Sequence, residues 1–138
     1  MTIGEGLIQW LYGFGDIEAE DLIQTDRLDG TVGSYGLYRQ PTREETVFID
    51  GSRDVSCYYL LLARRAVKAD VSRIGNQAWM ESLEDWVSQR NRLGDLPHLG
   101  ARRTCNSVGI SITAYMAEEQ ETGTAAYQLT VRINYTEV

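Results

Sequence analysis

Histidine is all but missing: His98, in the turn Leu96-Pro97-His98-Leu99-Gly100, is the only one. Cysteines number two, Cys57 inside an apolar stretch and Cys105 at the start of another, with no CxxC spacing. One imidazole and two distant thiols do not supply the four ligands of a closed zinc site. A Cys–His nucleophile pair drawn from them has no spacing to support it. Two free packing cysteines and a turn histidine are expected, with no catalytic residue, no metal and no cofactor. Glycine-rich phosphate loops are absent too, since Gly4-Glu5-Gly6 opens a helix without a strand leading into it. No apolar run approaches the roughly 18 residues of a membrane span, and a signal peptide's basic start and apolar stretch are lacking. The expected compartment is the cytosol.

Basic charge is scarce as well. Lys68 is the only lysine beside twelve arginines, and 20 acids give a net charge of −7. Residues 1–30 hold seven acids and one base, which leaves only −1 for residues 31–138. Without a cationic stripe, direct nucleic-acid binding is not expected. Only 2 Pro stand against 13 Gly, and 43% of the chain is hydrophobic, a composition of globular domains and not of disordered chains. With 138 residues, residues 1–138 are expected to form one α+β domain, of which 1–30 are an acidic N-terminal helix and arm.

Thr2 and Glu5 form a capping-box pair, and Ile3, Leu7, Trp10 and Leu11 follow at helical spacing until Gly13 and Gly15. Leu22 to Leu28 is a brief strand or an extended arm. Tyr35, Leu37 and Tyr38 predict a short strand stopped by Pro41, and Val47-Phe48-Ile49 another before the Asp50-Gly51 turn. From Asp54 to Val67 the pattern is a two-sided strand, with Val55, Cys57, Tyr59, Leu61 and Ala63 on one face and Tyr58, Leu60, Leu62 and Ala66 on the other. Such a strand lies mid-sheet with both faces covered. The second cover is the N-terminal helix or another subunit, with Tyr35, Tyr38 and Tyr58 beneath it.

Asp70 or Ser72 is expected to cap a helix of about 20 residues ending at Gly94, where Pro97 follows. Its apolar stripe is Ile74, Trp79, Met80, Leu83, Trp86 and Val87, of which Trp79, Leu83, Trp86 and Val87 should seal one face of the sheet. Val108, Ile110, Ile112, Ala114 and Met116 then alternate with polar residues. Ala125, Tyr127, Leu129, Val131, Ile133 and Tyr135 do so more strictly. Between these strands Glu118, Glu119 and Glu121 make an acidic loop. The expected fold is a mainly antiparallel sheet with one long and one short helix packed against it.

The order Phe48-Ile49, Asp50-Gly51-Ser52, the tyrosine-rich strand ending in Ala63-Arg64, Leu83-Glu84-Asp85-Trp86 with Gln89, Gly94-Asp95-Leu96-Pro97 and Ala126-Tyr127-Gln128 resembles a family of tailed-phage minor capsid or tail-completion proteins, from about residue 20 to the C-terminus. That family is similar to the tail terminators. The resemblance implies a small α+β subunit that assembles as a hexameric ring on the head-proximal end of the tail tube, stops its growth and docks to the head connector. It implies no catalytic residue, and carries Asp50, Gly51, Ser52, Trp86, Leu96 and Pro97 as structural positions. The partners implied are the chain itself, the tail-tube protein and the neck proteins, in the virion and, during assembly, the host cytoplasm. Other neck or head-completion roles are the alternative, and a small ligand-binding domain is a further one. A ring of identical subunits joins unlike edges. Arg64, Arg65, Arg102 and Arg103 are candidates for a basic edge, and Asp16, Glu18, Glu20 and Asp21 for an acidic one.

Overall fold

Helix α1 spans Ile3–Leu11, and the capping box at its start is complete. The Thr2 hydroxyl accepts from the Glu5 N–H at 3.1 Å, and the Glu5 carboxylate accepts from the Thr2 N–H at 3.1 Å. In the computed structural model, which describes residues 1–17, 22–120 and 123–138, five strands and a second helix follow. These are β1 (Ile23–Thr25), β2 (Tyr35–Val47), β3 (Arg53–Ala66), α2 (Asp70–Leu93), β4 (Arg103–Glu119) and β5 (Thr124–Glu137). The strands form one sheet in the order β1-β2-β3-β5-β4. It is a mixed sheet, which corrects the mainly antiparallel one expected: β1 runs parallel to β2, and the other neighbours are antiparallel. The nine residues 26–34 that join β1 to β2 pass over the sheet, and Asp26 starts the turn with φ 55°, a left-handed conformation that Asp tolerates.

Helix α2 has 24 residues and begins one residue earlier than an Asp70 cap implies and three earlier than a Ser72 cap does. Its N-cap is Ala69, without a side-chain cap, and Asp70 is instead the first helical residue, paired with Arg73 at 3.3 Å. It ends at Gly94, whose φ of 73° is the left-handed C-cap geometry that glycine adopts without strain. The buried stripe is Asn76, Trp79, Met80, Leu83 and Val87. Ile74 lies outside it and is 62% exposed, because two residues of helix turn it about 200° from Asn76. Asn76 takes the inward place and donates to the Ala66 carbonyl at 2.9 Å.

The strand expected at Tyr35 to Tyr38 runs on through Pro41 to Val47, whereas Phe48 and Ile49, expected in a second strand, lie in the hairpin turn. β2 continues through Pro41 at a register irregularity between Arg39 and Arg43, on a stretch where β3 is its only partner among the described residues. A strand edge at a bulge is where the missing proline N–H costs nothing. β3 and β5 pair without irregularity from Arg53↔Glu137 to Ala66↔Thr124, in the middle of the sheet as expected for β3. Val55, Cys57, Tyr59, Leu61 and Ala63 meet Tyr135, Ile133, Val131, Leu129 and Tyr127 in one buried layer beneath the helices. β4 loses its alternation at several irregularities, so Ile112, expected with the core residues, pairs with Thr130 and is 53% exposed.

Both helices sit on that one layer. Trp10 of α1 packs on Trp86 of α2 at a centroid distance of 4.6 Å, and Phe14 packs on Trp86 and Trp79. The backbones approach closely at Gly6, where a Cβ would lie 2.3 Å from the His98 carbonyl oxygen. The N-terminal helix is therefore not the cover of the opposite face. Tyr35 belongs to the helix side too, 3% exposed with its ring 6.0 Å from Trp79, which corrects its placement beside Tyr38 and Tyr58.

Candidate interaction surfaces

Every second residue of β3 and β5 points away from the helices, onto a face that divides in two. At one end polar side chains bond to one another. Arg132 and Asn134 both donate to the Ser56 hydroxyl, at 3.0 and 3.1 Å, Thr136 donates to Asp54 at 2.6 Å and Tyr58 to Glu44 at 3.1 Å. At the other end Tyr38, Leu60 and Leu62 are half-buried, Ile112 and Tyr115 are exposed, and the Tyr115 hydroxyl bonds to Gln128. The 26–34 segment crosses part of this end. The Gly33 N–H donates to the Arg64 carbonyl and the Arg64 N–H to that of Ser34, each at 2.9 Å. The Arg27 carbonyl lies so close over Gly36 that a Cβ there would be 2.3 Å away.

A second surface is the tip of the β2–β3 hairpin. Val47, Phe48 and Ile49 stand in solvent, Ile49 entirely, which is unusual for three consecutive large apolar residues. The turn behind them is stiff. The Ser52 hydroxyl and N–H donate to Asp50 Oδ1 at 2.6 and 2.9 Å, the Phe48 N–H donates to the Ser52 carbonyl at 2.8 Å, and Gly51 takes φ 88°. The Ser52 hydroxyl and then its N–H hold the Asp50 carboxyl below the usual range. Asp50, Gly51 and Ser52 thus make the turn that the sequence signals. At the base of the hairpin Glu137 accepts from Arg103 at 2.9 Å and from Arg53 at 2.5 Å, and Arg53 also reaches Glu45 at 2.9 Å. Arg103 first, then Arg53, pull the Glu137 carboxyl below the ordinary glutamate range.

The candidate basic edge is dispersed. Arg64 is 6% exposed on the bare side of β3, its Nε and one terminal nitrogen without a partner among the described residues. Arg65 lies 4.9 Å over the Trp79 ring and donates to Asn76 at 2.9 Å. Arg103 is held by Glu137, and Arg102, exposed, donates to the Val138 carbonyl at 3.0 Å. Of the acidic set Asp16 is exposed, whereas Glu18, Glu20 and Asp21 lie outside the described residues, as does Glu121 of the acidic loop. Trp79 and Leu83 are core; Trp86 is half-buried between the helices; Leu96 is half-buried and Pro97 buried. What the sequence reading passed over is the pair Arg39 and Arg43 on either side of Pro41. A proline inside an otherwise strand-like run is the signal of a bulge on an edge.

Cys57 and Cys105 are free and lie under the helices. Burial raises the Cys57 thiol and pushes Cys105 up to about 11, so both stay protonated near neutrality and are poor nucleophiles. Among the described residues no group of three or more His, Cys, Asp or Glu could hold a metal ion, and no helix is long and apolar enough to cross a membrane. One gap between α2 and the sheet, lined by Trp79, Met80 and Tyr127, has a volume of about 10 Å³, the size of one water, and an open groove between α2 and β4, lined by Glu81, Glu84 and Tyr115, one of about 460 Å³. A comparison with protein-family models finds no match, and a comparison with curated proteins finds none either.

Proposed function

We propose that this chain is a structural virion protein of the head–tail joining region of a tailed phage. In this reading it is a tail terminator, which closes into a ring, hexameric in the virion, on the head-proximal end of the tail tube, stops tube growth and docks to the head connector. Beside the order of motifs, one structural observation carries it. Both helices occupy the same side of the sheet, so on the other face, where Ser56, Arg64, Ala126 and Thr130 are buried, Tyr38, Leu60 and Leu62 stay half-buried and Ile112 and Tyr115 exposed, and a stiff apolar hairpin tip stands at 47–49. Surfaces of that kind fit contacts with other subunits. Its partners are then itself, the tail-tube protein and the connector. With a net charge of −7 the chain has no evident reason to bind nucleic acid directly, and nothing in the reading calls for a membrane.

Electron microscopy of a phage lacking this chain tests the reading. Overlong tails without heads are expected. Filled heads without tails would move the chain to a head-completion role in the same neck region. Normal particles would remove it from the joining region altogether.

A further inference from the structure

Arg39 and Arg43 of β2 register with Tyr59 and Cys57 of β3, so the three residues 40–42 oppose Tyr58 alone. That insertion bows the edge strand outward, with Pro41 at its centre where no ladder N–H is needed. The bow opens a cleft with Cys57 on its floor and Arg39, Arg43 and Asp26 on its walls. Both arginines register with residues of the helix-side layer, and both guanidiniums act on the Cys57 thiol, opposing the rise that burial imposes. Arg39 is exposed, and its guanidinium has no hydrogen bond or ion pair with any described residue. Among the described residues the Arg43 side chain reaches only Glu45, at 3.7 Å, and Arg53 holds that carboxylate at 2.9 Å. In a chain of net charge −7, two cations beside one another are thus incompletely used.

At the opposite flank Glu118 and Glu119 end β4, both exposed and neither in an ion pair with a described residue. The outer edge of β4 is closed further back by α2. There Asn91 accepts from the Val108 N–H at 3.0 Å and Glu84 from the Ala114 N–H at 2.7 Å. Beyond Ala114 no such cap is present among the described residues. Strands β3 and β5 separate β2 from β4 by roughly 14 Å, and the seven residues between the Cys57 and Arg64 levels add about 23 Å along the strands. One copy cannot bring these charges together, but two copies side by side can.

We propose that the Glu118–Glu119 end of β4 in one copy meets the Arg39–Arg43 cleft of a second copy, with Glu119, which registers with Ala125 of the helix-side layer, toward the arginines. This unlike-edge contact repeats from subunit to subunit and closes into a ring or runs on as a chain. It deepens the assembly reading above, on which it rests for the identity of the occupant. It also puts the basic side of the junction on β2 instead of at Arg64, Arg65, Arg102 and Arg103.

Sedimentation of the full chain at low salt over a range of concentrations tests it. Self-association that weakens as salt is added is expected. R39E/R43E and E118K/E119K should each weaken it at least about tenfold while keeping the wild-type circular dichroism and melting temperature. Mixing the two reversed proteins should restore it, because every junction then regains opposite charges. A monomer at all concentrations, association that ignores the reversals, or a mixture that stays dissociated overturns the contact. The terminator reading fails separately. Restored association together with tails of normal length in a phage lacking the chain would keep the contact and discard the function. Overlong tails with reversal-resistant association would do the opposite.

Discussion

Leu60 and Leu61 are neighbours in β3 with the same side chain, yet Leu61 is 2% exposed beneath the helices and Leu60 is half-buried on the bare side. The same holds across β5, where Val131 is fully buried and Arg132 is exposed. Two faces of one sheet, made by the same strands in one register, have therefore been given different work. The face toward α1 and α2 carries the folding free energy. The other, with the hairpin tip and the two sheet edges, is held in shape by that core and is available for contact.

Substitutions on adjacent residues separate the two faces most sharply. Leu61→Ala should lower unfolding stability by about 3–4 kcal/mol through a cavity under the helices, whereas Leu60→Ala should cost about 1 kcal/mol or less. Equal losses in denaturant titrations would mean that the bare face is not bare. Trp86→Ala comes next, at about 2–3 kcal/mol, less than a fully buried tryptophan because Trp86 joins α1 to α2 and keeps some solvent contact. Thr2→Ala removes the N-cap of α1 and should cost about 1 kcal/mol. Ile49→Asp, at the tip, should leave the melting curve within about 0.5 kcal/mol of wild type and, on the proposed terminator function, abolish capping of tail tubes in vitro. A destabilised I49D would place the tip in the core account instead.

The smallest expected effect is one of pH. The Glu137 carboxyl is depressed in the folded chain by Arg103 and Arg53, so the stability it contributes is present above its unfolded pKa, about 4.3. That stability is lost as pH falls from there through the folded value. Glu137→Gln should flatten this part of the acid limb of the stability curve and leave the neutral region of its shape unchanged. A limb as steep as wild type would assign the acid sensitivity to other carboxylates.

Where one residue in two faces the core without interruption, as in β5, sequence alternation reports the structure directly: the alternate residues Ala125, Tyr127, Leu129, Val131, Ile133 and Tyr135 are all buried. The capping box at Thr2 and the stop at Gly94 were legible for the same reason, since each depends on side chains or backbone within one turn. Alternation misleads in β4, because each irregularity reverses the sense of the faces beyond it. It misleads in β2 as well, since a proline reads as a stop unless the strand is known to lie on an edge. The parallel β1 depends on a crossover of residues 26–34, and such a pairing leaves no local mark. Tyr35 joined the core because its strand enters at the Trp79 level, a tertiary fact. Of the surfaces, the turn at Asp50-Gly51-Ser52 could be read in advance. The Arg39–Arg43 cleft could not, for it exists only once the bulge sets both side chains beside Cys57.

The proposed function requires the exposed parts of this chain to join it to other copies on a tube. Measuring the mass of the purified chain by light scattering, alone and after mixing with tail-tube protein, tests that most directly. A salt-sensitive species of fixed subunit number, enriched on the ends of tubes, is expected. A chain that stays monomeric in both conditions, with tubes that continue to grow in its presence, would contradict it.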